Sequence, residues 1–208
     1  MGNGNKAEML IAICAVITSV VALFVAWDQG RVMRAQQHGA VYPVVQVEGF
    51  VSTGLETYSM GIRMSNSGVG PALIERVSML RNGEPIESLD PYVDRMPSGY
   101  MHSWSTVIGR AIAPGDEVEP LRVDWPRDIV SMEQLNAAAL EWSELDVEIC
   151  YCSVFDRCWT TRSIGMGSGI TPAERVKRCE RSKTDIFEAV ADQARAPAIE
   201  TEPTPEVE

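Results

Sequence analysis

Three of the chain's five cysteines fall within ICYCSVFDRCW, from Ile149 to Trp159. Thiols this crowded can run redox exchange, hold a soft metal or staple a fold. On an extended chain, side chains alternate, so Cys150 and Cys152 project to one face with Glu148 and Val154. Val147, Ile149 and Tyr151 take the other face. A Cys-x-Cys pair on one strand is poorly placed to bond to itself, so each cysteine needs a partner elsewhere. Cys158 lies across the turn SVFDR, within reach of Cys152 as a hairpin disulfide. Cys179 is then left for Cys150. Cys14 sits in an apolar run and reads as a small apolar side chain. Four cysteines allow three pairings, and reduced, buried thiols are the other structural reading.

Other chemistries find weaker support. Four thiolates suffice for a structural zinc site, but C-x-C-x5-C-x20-C lacks the paired C-x2-C knuckles. There is no C-x-x-C of the kind a thioredoxin-like βαβ unit carries. The two histidines are His38 and His102. Ser103 and Ser105 flank Trp104 near His102, with no strand-turn-helix nucleophile elbow around them. Met60 and Met64 share a strand face, with Met79 opposite, and thioethers bind Cu(I). That face is also the expected core face, where methionine is ordinary packing. SNSGVG and GMGSG read as turns, since neither opens a helix with phosphate-binding spacing. No catalytic residue, metal ligand or cofactor-binding residue is assigned, and no cofactor is expected.

The bulk numbers bound the partners. The chain has 208 residues, 45 % of them hydrophobic, and a net charge of −11. One ordinary domain with appendages fits that length. Nucleic acid is excluded as the main partner, because phosphate binding needs a clustered basic face and the basic residues here are scattered. Met9 to Trp27, MLIAICAVITSVVALFVAW, holds no charged residue. As a helix it spans roughly 28 Å, close to the hydrocarbon thickness of a bilayer. A cleaved signal peptide fits less well, because Phe24, Val25, Ala26 and Trp27 make a poor cleavage site. The start, MGNGNK, has Lys6 where a myristoylation signal needs Ser or Thr. The bilayer is therefore the first expected partner, through residues 9–27. Lys6 before the span against Arg31 and Arg34 after it leans slightly toward a cytoplasmic C-terminal domain. The cysteines lean the other way, because disulfides persist outside the cytoplasm.

The remaining chain must position these residues. Residues 1–8 form a short tail, 9–27 the transmembrane helix, and 28–41 a helical stalk that Pro43 ends. Val44 to Phe50 reads as a strand. In TYSMGIRMSNSG, Tyr58, Met60, Ile62 and Met64 fall on one face and Ser59, Gly61, Arg63 and Ser65 on the other. Ala72 to Leu80 is a strand ending in the hairpin signal Asn82-Gly83. Trp104 to Ile112 and Val118 to Val123 read as strands joined by Pro114-Gly115. Ser131, with Gln134 three residues on, caps a helix over MEQLNAAALEW. Leu145 to Phe155 and Cys158 to Ile164 read as a hairpin. Thr171-Pro172 predicts a C-terminal helix over 169–194, and the acidic tail 195–208 reads as disordered. The expected fold is mainly β: an antiparallel, immunoglobulin-like β-sandwich over 42–168 carrying one or two short helices.

RVMRAQQHGAVYP just after the apolar span, followed by SNSGVGPALIERV, resembles a family of uncharacterised bacterial single-pass membrane proteins. The resemblance runs from the span to about Trp159 and includes the ICYCSVFDRCW hairpin. It implies a bitopic anchor and a β-rich domain, and it carries no activity to transfer. The expected protein is a non-enzymatic, membrane-anchored binding module with a protein partner. Its soluble domain would lie on the periplasmic side of a bacterial inner membrane, the cytoplasmic side being the alternative. A metal-handling or thiol-dependent enzyme using Cys150, Cys152 and Cys158, with His102, is the other function class.

Overall fold

The computed structural model describes residues 3–165 and 169–188, in two compact units, Met1–Val41 and Tyr42–Glu208. The first unit is one helix, α1 (Asn3–Ala40). Its apolar stretch is long enough to cross a bilayer, by length and composition, and none of that stretch is buried among the described residues. The two hydroxyls in it are satisfied locally: Thr18 Oγ1 donates to the Cys14 carbonyl at 2.8 Å and Ser19 Oγ to that of Ala15 at 2.7 Å. Such back-bonding removes the cost of a hydroxyl in an apolar helix. No break separates the expected span from the expected stalk.

The second unit is mainly β. In chain order it contains β1 (Val45–Thr53), β2 (Thr57–Asn66), β3 (Ala72–Arg81), β4 (Glu84–Pro85), α2 (Asp90–Val93), β5 (Met101–Trp104) and β6 (Ala111–Ile112). Then follow β7 (Glu117–Pro126), α3 (Met132–Trp142), β8 (Leu145–Cys152), β9 (Cys158–Ile164), β10 (Gly169–Ile170) and β11 (Glu174–Val176). They build a four-stranded sheet, β1-β2-β7-β5, and a seven-stranded sheet, β10-β9-β8-β3-β4, with β11 on β9 and β6 on β3. Every pairing is antiparallel. Both sheets feed one core. Met60, Ile62 and Met64 of β2 join Ile74, Val77 and Met79 of β3 and Val147, Ile149 and Tyr151 of β8. The three methionines of the copper reading are therefore packing residues.

The outer face of the four-stranded sheet is polar, as the alternation in β2 requires. Arg63 reaches Glu119 at 3.0 Å and Glu117 at 3.6 Å, and Arg122 reaches Asp124 at 3.1 Å. The β3–β4 turn is Asn82-Gly83 with φ of 53° and 85°, the paired left-handed geometry that this dipeptide favours. At α3 both bonds of the capping box form: Gln134 N–H donates to Ser131 Oγ at 3.2 Å, and Ser131 N–H to Gln134 Oε1 at 2.9 Å.

Two expectations are corrected. The strand expected over Trp104–Ile112 is cut in two, with β5 in one sheet and β6 in the other. The chain changes sheet at residues 105–110, where Gly109 takes φ 81° and the Val107 and Ile108 amides bond to Asp185 instead of a strand. The helix expected over 169–194 does not form across 169–185, where β10 and β11 stand. Thr171 and Pro172 do carry a helix-start signal, but tertiary bonds use the threonine first. Thr171 N–H donates to the Arg162 carbonyl at 2.8 Å, and Arg162 N–H to Thr171 Oγ1 at 3.0 Å. The β domain thus runs past 168, because Phe187 is fully buried in its core. The tail expected to be disordered, 195–208, lies outside the described residues.

Asn66, 1 % exposed, ties the second unit together. Its Oδ1 accepts from Val44 N at 3.1 Å and Gly68 N at 3.0 Å. Its Nδ2 donates to the carbonyls of Gly70 at 2.8 Å and Ile112 at 3.0 Å. Its own backbone pairs with Asp116 and Gly115. A Cβ on Gly68 would collide with the backbone of Tyr42 and Val44. Asn66→Ala strands several buried backbone groups at about 1–3 kcal/mol each. Loss of at least about 3 kcal/mol is expected in urea unfolding of the purified protein, and Gly68→Ala should lower the melting temperature too. Wild-type stability in Asn66→Ala would show that water replaces the amide.

Candidate functional site

The opening motif occupies the end of β8, a tight turn and the start of β9. Cys152 and Cys158 are direct register partners at the last rung of the ladder. The next rung closes with Ser153 N–H donating to the Arg157 carbonyl at 2.7 Å. Cys152 and Cys158 thus take a non-hydrogen-bonded position, where opposing Cα atoms come closest; here they are 4.0 Å apart. The turn needs one left-handed residue, and Asp156 supplies it at φ 55°. Phe155 N–H donates to the hydroxyl of buried Ser153 at 3.3 Å.

Two disulfides follow: Cys152–Cys158, with S–S 2.03 Å, and Cys150–Cys179, with S–S 2.02 Å. Cys14, on the apolar helix, is the free cysteine among the described residues. Val147, Ile149 and Tyr151 face the core, so Cys150 and Cys152 share the outer face of the sheet with Glu148. Glu148 bridges Arg76 at 3.3 Å and Arg162 at 3.0 Å there.

Cys179 reaches this face on the segment after β11. That segment is pinned again two residues later. Arg181 grips Glu75 bidentately, at 2.6 and 2.9 Å, and Ser182 N–H donates to the Glu75 carbonyl at 3.1 Å. Glu75 sits at the register shift of β3, which frees its carbonyl from the ladder. The guanidinium pKa of Arg181 is raised by that hydrogen bond. The segment ends in Asp185, whose carboxylate accepts from Val107 N at 2.7 Å and Phe187 N at 3.0 Å.

The two disulfides lie side by side. The sulfurs of Cys152, Cys158 and Cys179 are all within 4.8 Å of one another. Cys150, Cys152 and Cys158 are buried, and Cys179 is partly open. Beside them Arg157, Arg175 and Lys177 line an open groove of about 410 Å³ together with Asp156 and Val176. Metal ligation requires thiolates, so the bonded cysteines are not ligands as they stand. His102 is not brought to them: it lies on β5 in the other sheet, opposite Val123, with its ring 5.8 Å from Tyr100.

Beneath the cysteines, Tyr151 stacks on Trp159 at 5.9 Å, and Tyr42 meets the same indole edge-on at 5.0 Å. Burial pushes the Tyr151 phenol up to about 12, the Val45 backbone acting in the opposite sense. A second concave feature went unseen in the sequence. Phe50, Val51, Met60, Met96, Val123 and Trp142 line an apolar cleft of about 210 Å³ between the four-stranded sheet and α3. Its residues come from separate segments of the chain, so no local pattern signals it.

Loop length ranks the two cross-links. With sequence separations of 29 and 6, the chain-entropy model gives about 3.5 kcal/mol for Cys150–Cys179 and about 2 kcal/mol for Cys152–Cys158. The Cys150→Ala/Cys179→Ala double variant should therefore melt below Cys152→Ala/Cys158→Ala, and the reverse order would reject loop entropy as the main term. The raised Tyr151 pKa has its own signature. The folded state keeps the phenol neutral after the unfolded chain has begun to ionise near 10. Its contribution is complete below pH 10 and lost as pH climbs toward 12. Tyr151→Phe should flatten that alkaline decline in a pH series of denaturation curves.

No family model, curated protein or solved structure matches this chain.

Proposed function

We propose that this protein is a single-pass, membrane-anchored binding module of the bacterial inner membrane. Its immunoglobulin-like β-sandwich would stand on the periplasmic side. The observation that carries the reading is the apolar stretch of α1, long and apolar enough to cross a membrane. A run of side chains such as Leu23, 74 % exposed, and Phe24, 67 % exposed, needs a non-aqueous surrounding. Two disulfides in one domain favour an oxidising compartment. The resemblance to bacterial single-pass proteins implies the anchor and the β-rich domain and says nothing of the compartment.

The partner is a protein that presents an extended segment. The outer edge of the four-stranded sheet is β1, whose Val51 is 50 % exposed beside the apolar cleft, with Leu55 at 94 % on the hairpin tip. Main-chain bonds to a free edge give affinity, and a pocket for alternate side chains gives selectivity. An added strand would drop an apolar side chain into the cleft.

Two measurements test this. The full chain should resist alkaline carbonate extraction with residues 1–27 retained, and external protease on spheroplasts should remove the β domain. An amino terminus starting after Trp27, or a protected β domain, overturns the anchor or its orientation respectively. A photoreactive residue at Val51 should crosslink a protein in native membranes, and Val51→Asp should abolish binding of that protein without shifting the melting temperature. Binding unchanged by Val51→Asp overturns the edge as the docking site.

A further inference from the structure

The adjacency of the two disulfides has chemical content beyond stapling. We infer that Cys150, Cys152, Cys158 and Cys179 form an internal thiol–disulfide exchange relay, opened at Cys179 by an external dithiol. The argument starts from distance. Exchange needs a thiolate within striking range of a disulfide sulfur, and Cys179 Sγ lies within 4.8 Å of both sulfurs of the neighbouring bond. It continues with access. Cys150, Cys152 and Cys158 are 2 %, 8 % and 3 % exposed, whereas Cys179 is partly open, so a solvent-borne thiol meets Cys179 first. The groove beside the cluster adds charge. Arg157 directly precedes Cys158, and Val176, flanked by Arg175 and Lys177, is the register partner of Cys158. The cationic groove attracts an anionic reductant to this part of a chain whose net charge is −11.

The steps balance. A thiolate of the dithiol attacks Cys179 Sγ; the Cys150–Cys179 bond breaks and Cys150 leaves as a thiolate that takes up a proton. The second thiol of the dithiol resolves the mixed disulfide, the reductant departs as its own disulfide, and Cys179 is freed. Two electrons and two protons have reached the protein. The Cys179 thiolate then attacks a sulfur of Cys152–Cys158. A Cys158–Cys179 or Cys152–Cys179 bond forms, the old bond breaks, and the displaced cysteine is protonated. This last step is an isomerisation with no net redox change. Its consequence is mechanical: the segment holding Cys179 stays fastened to the β8–β9 hairpin in the half-reduced protein.

The test uses the full chain in detergent. One equivalent of dithiothreitol is added at pH 8, exchange is stopped with acid, thiols are alkylated, and the disulfides are mapped by mass spectrometry without reduction. The expected half-reduced species includes molecules with Cys179 bonded to Cys152 or Cys158. A half-reduced population containing only Cys150–Cys179 and Cys152–Cys158 overturns the relay. Cys150→Ser supplies the second arm, since it leaves Cys179 unpaired beside an intact bond. Cys14 is alkylated throughout; the second alkylated thiol should be spread over Cys152, Cys158 and Cys179. A second label on Cys179 alone overturns the proposal, and if that variant does not fold, the wild-type mapping decides.

Discussion

A single side-chain amide sets the terms for the β domain. Asn66 is buried at the junction of β2, the turn that follows it, the entry to β1 and the short β6, and it spends both donors and both acceptor positions on backbone groups of those segments. A buried amide lacking any of these bonds would cost more than it contributes. The four segments must therefore arrive together or not at all. Gly68 is the steric counterpart, since the chain around Tyr42 and Val44 approaches it too closely for any side chain. Through β6 the same junction touches the seven-stranded sheet, and through Val44 it fixes where the four-stranded sheet begins.

The C-terminal part of the domain is fastened by covalent and ionic ties. Cys150–Cys179 and the Arg181–Glu75 pair hold the C-terminal segment against the outer face of the larger sheet. That segment then delivers Asp185 to the crossover at residues 105–110 and Phe187 to the core. The Asp185 carboxylate satisfies backbone amides at the sheet change, while Glu75, at the bulge, holds Arg181 with its carboxylate and Ser182 with its carbonyl. Charged side chains at such places are structural even where they resemble a polar site.

Much of the middle of the chain was legible because its signals are local. Alternation in β2 identified its core face, Asn82-Gly83 marked a turn, and Ser131 with Gln134 marked a helix start; each rests on interactions within a few residues. The cysteine geometry was legible for the same reason, since alternation alone places Cys150 and Cys152 on one face. The failures came where a distant partner outbid a local preference. Thr171-Pro172 carries a helix-start pattern, yet Arg162, nine residues earlier, claims the threonine hydroxyl. Trp104 to Ile112 has strand composition, yet Asp185, 78 residues beyond Val107, takes the amide a strand would need. The apolar cleft was hidden for a related reason: its walls come from β1, β2, β7, α3 and Met96, and no window of sequence contains them together.

Phe187 places the last brick of the core near the end of the described chain. Synthesis proceeds from the amino terminus at roughly 5–20 residues per second. While β1 to β9 emerge, the pocket that Phe187 fills is vacant and the crossover amides of Val107 and Ile108 await their carboxylate. The β domain therefore completes its folding only after its final strands have been made. Until then a nascent chain leaves unsealed the apolar surface that Phe187 covers.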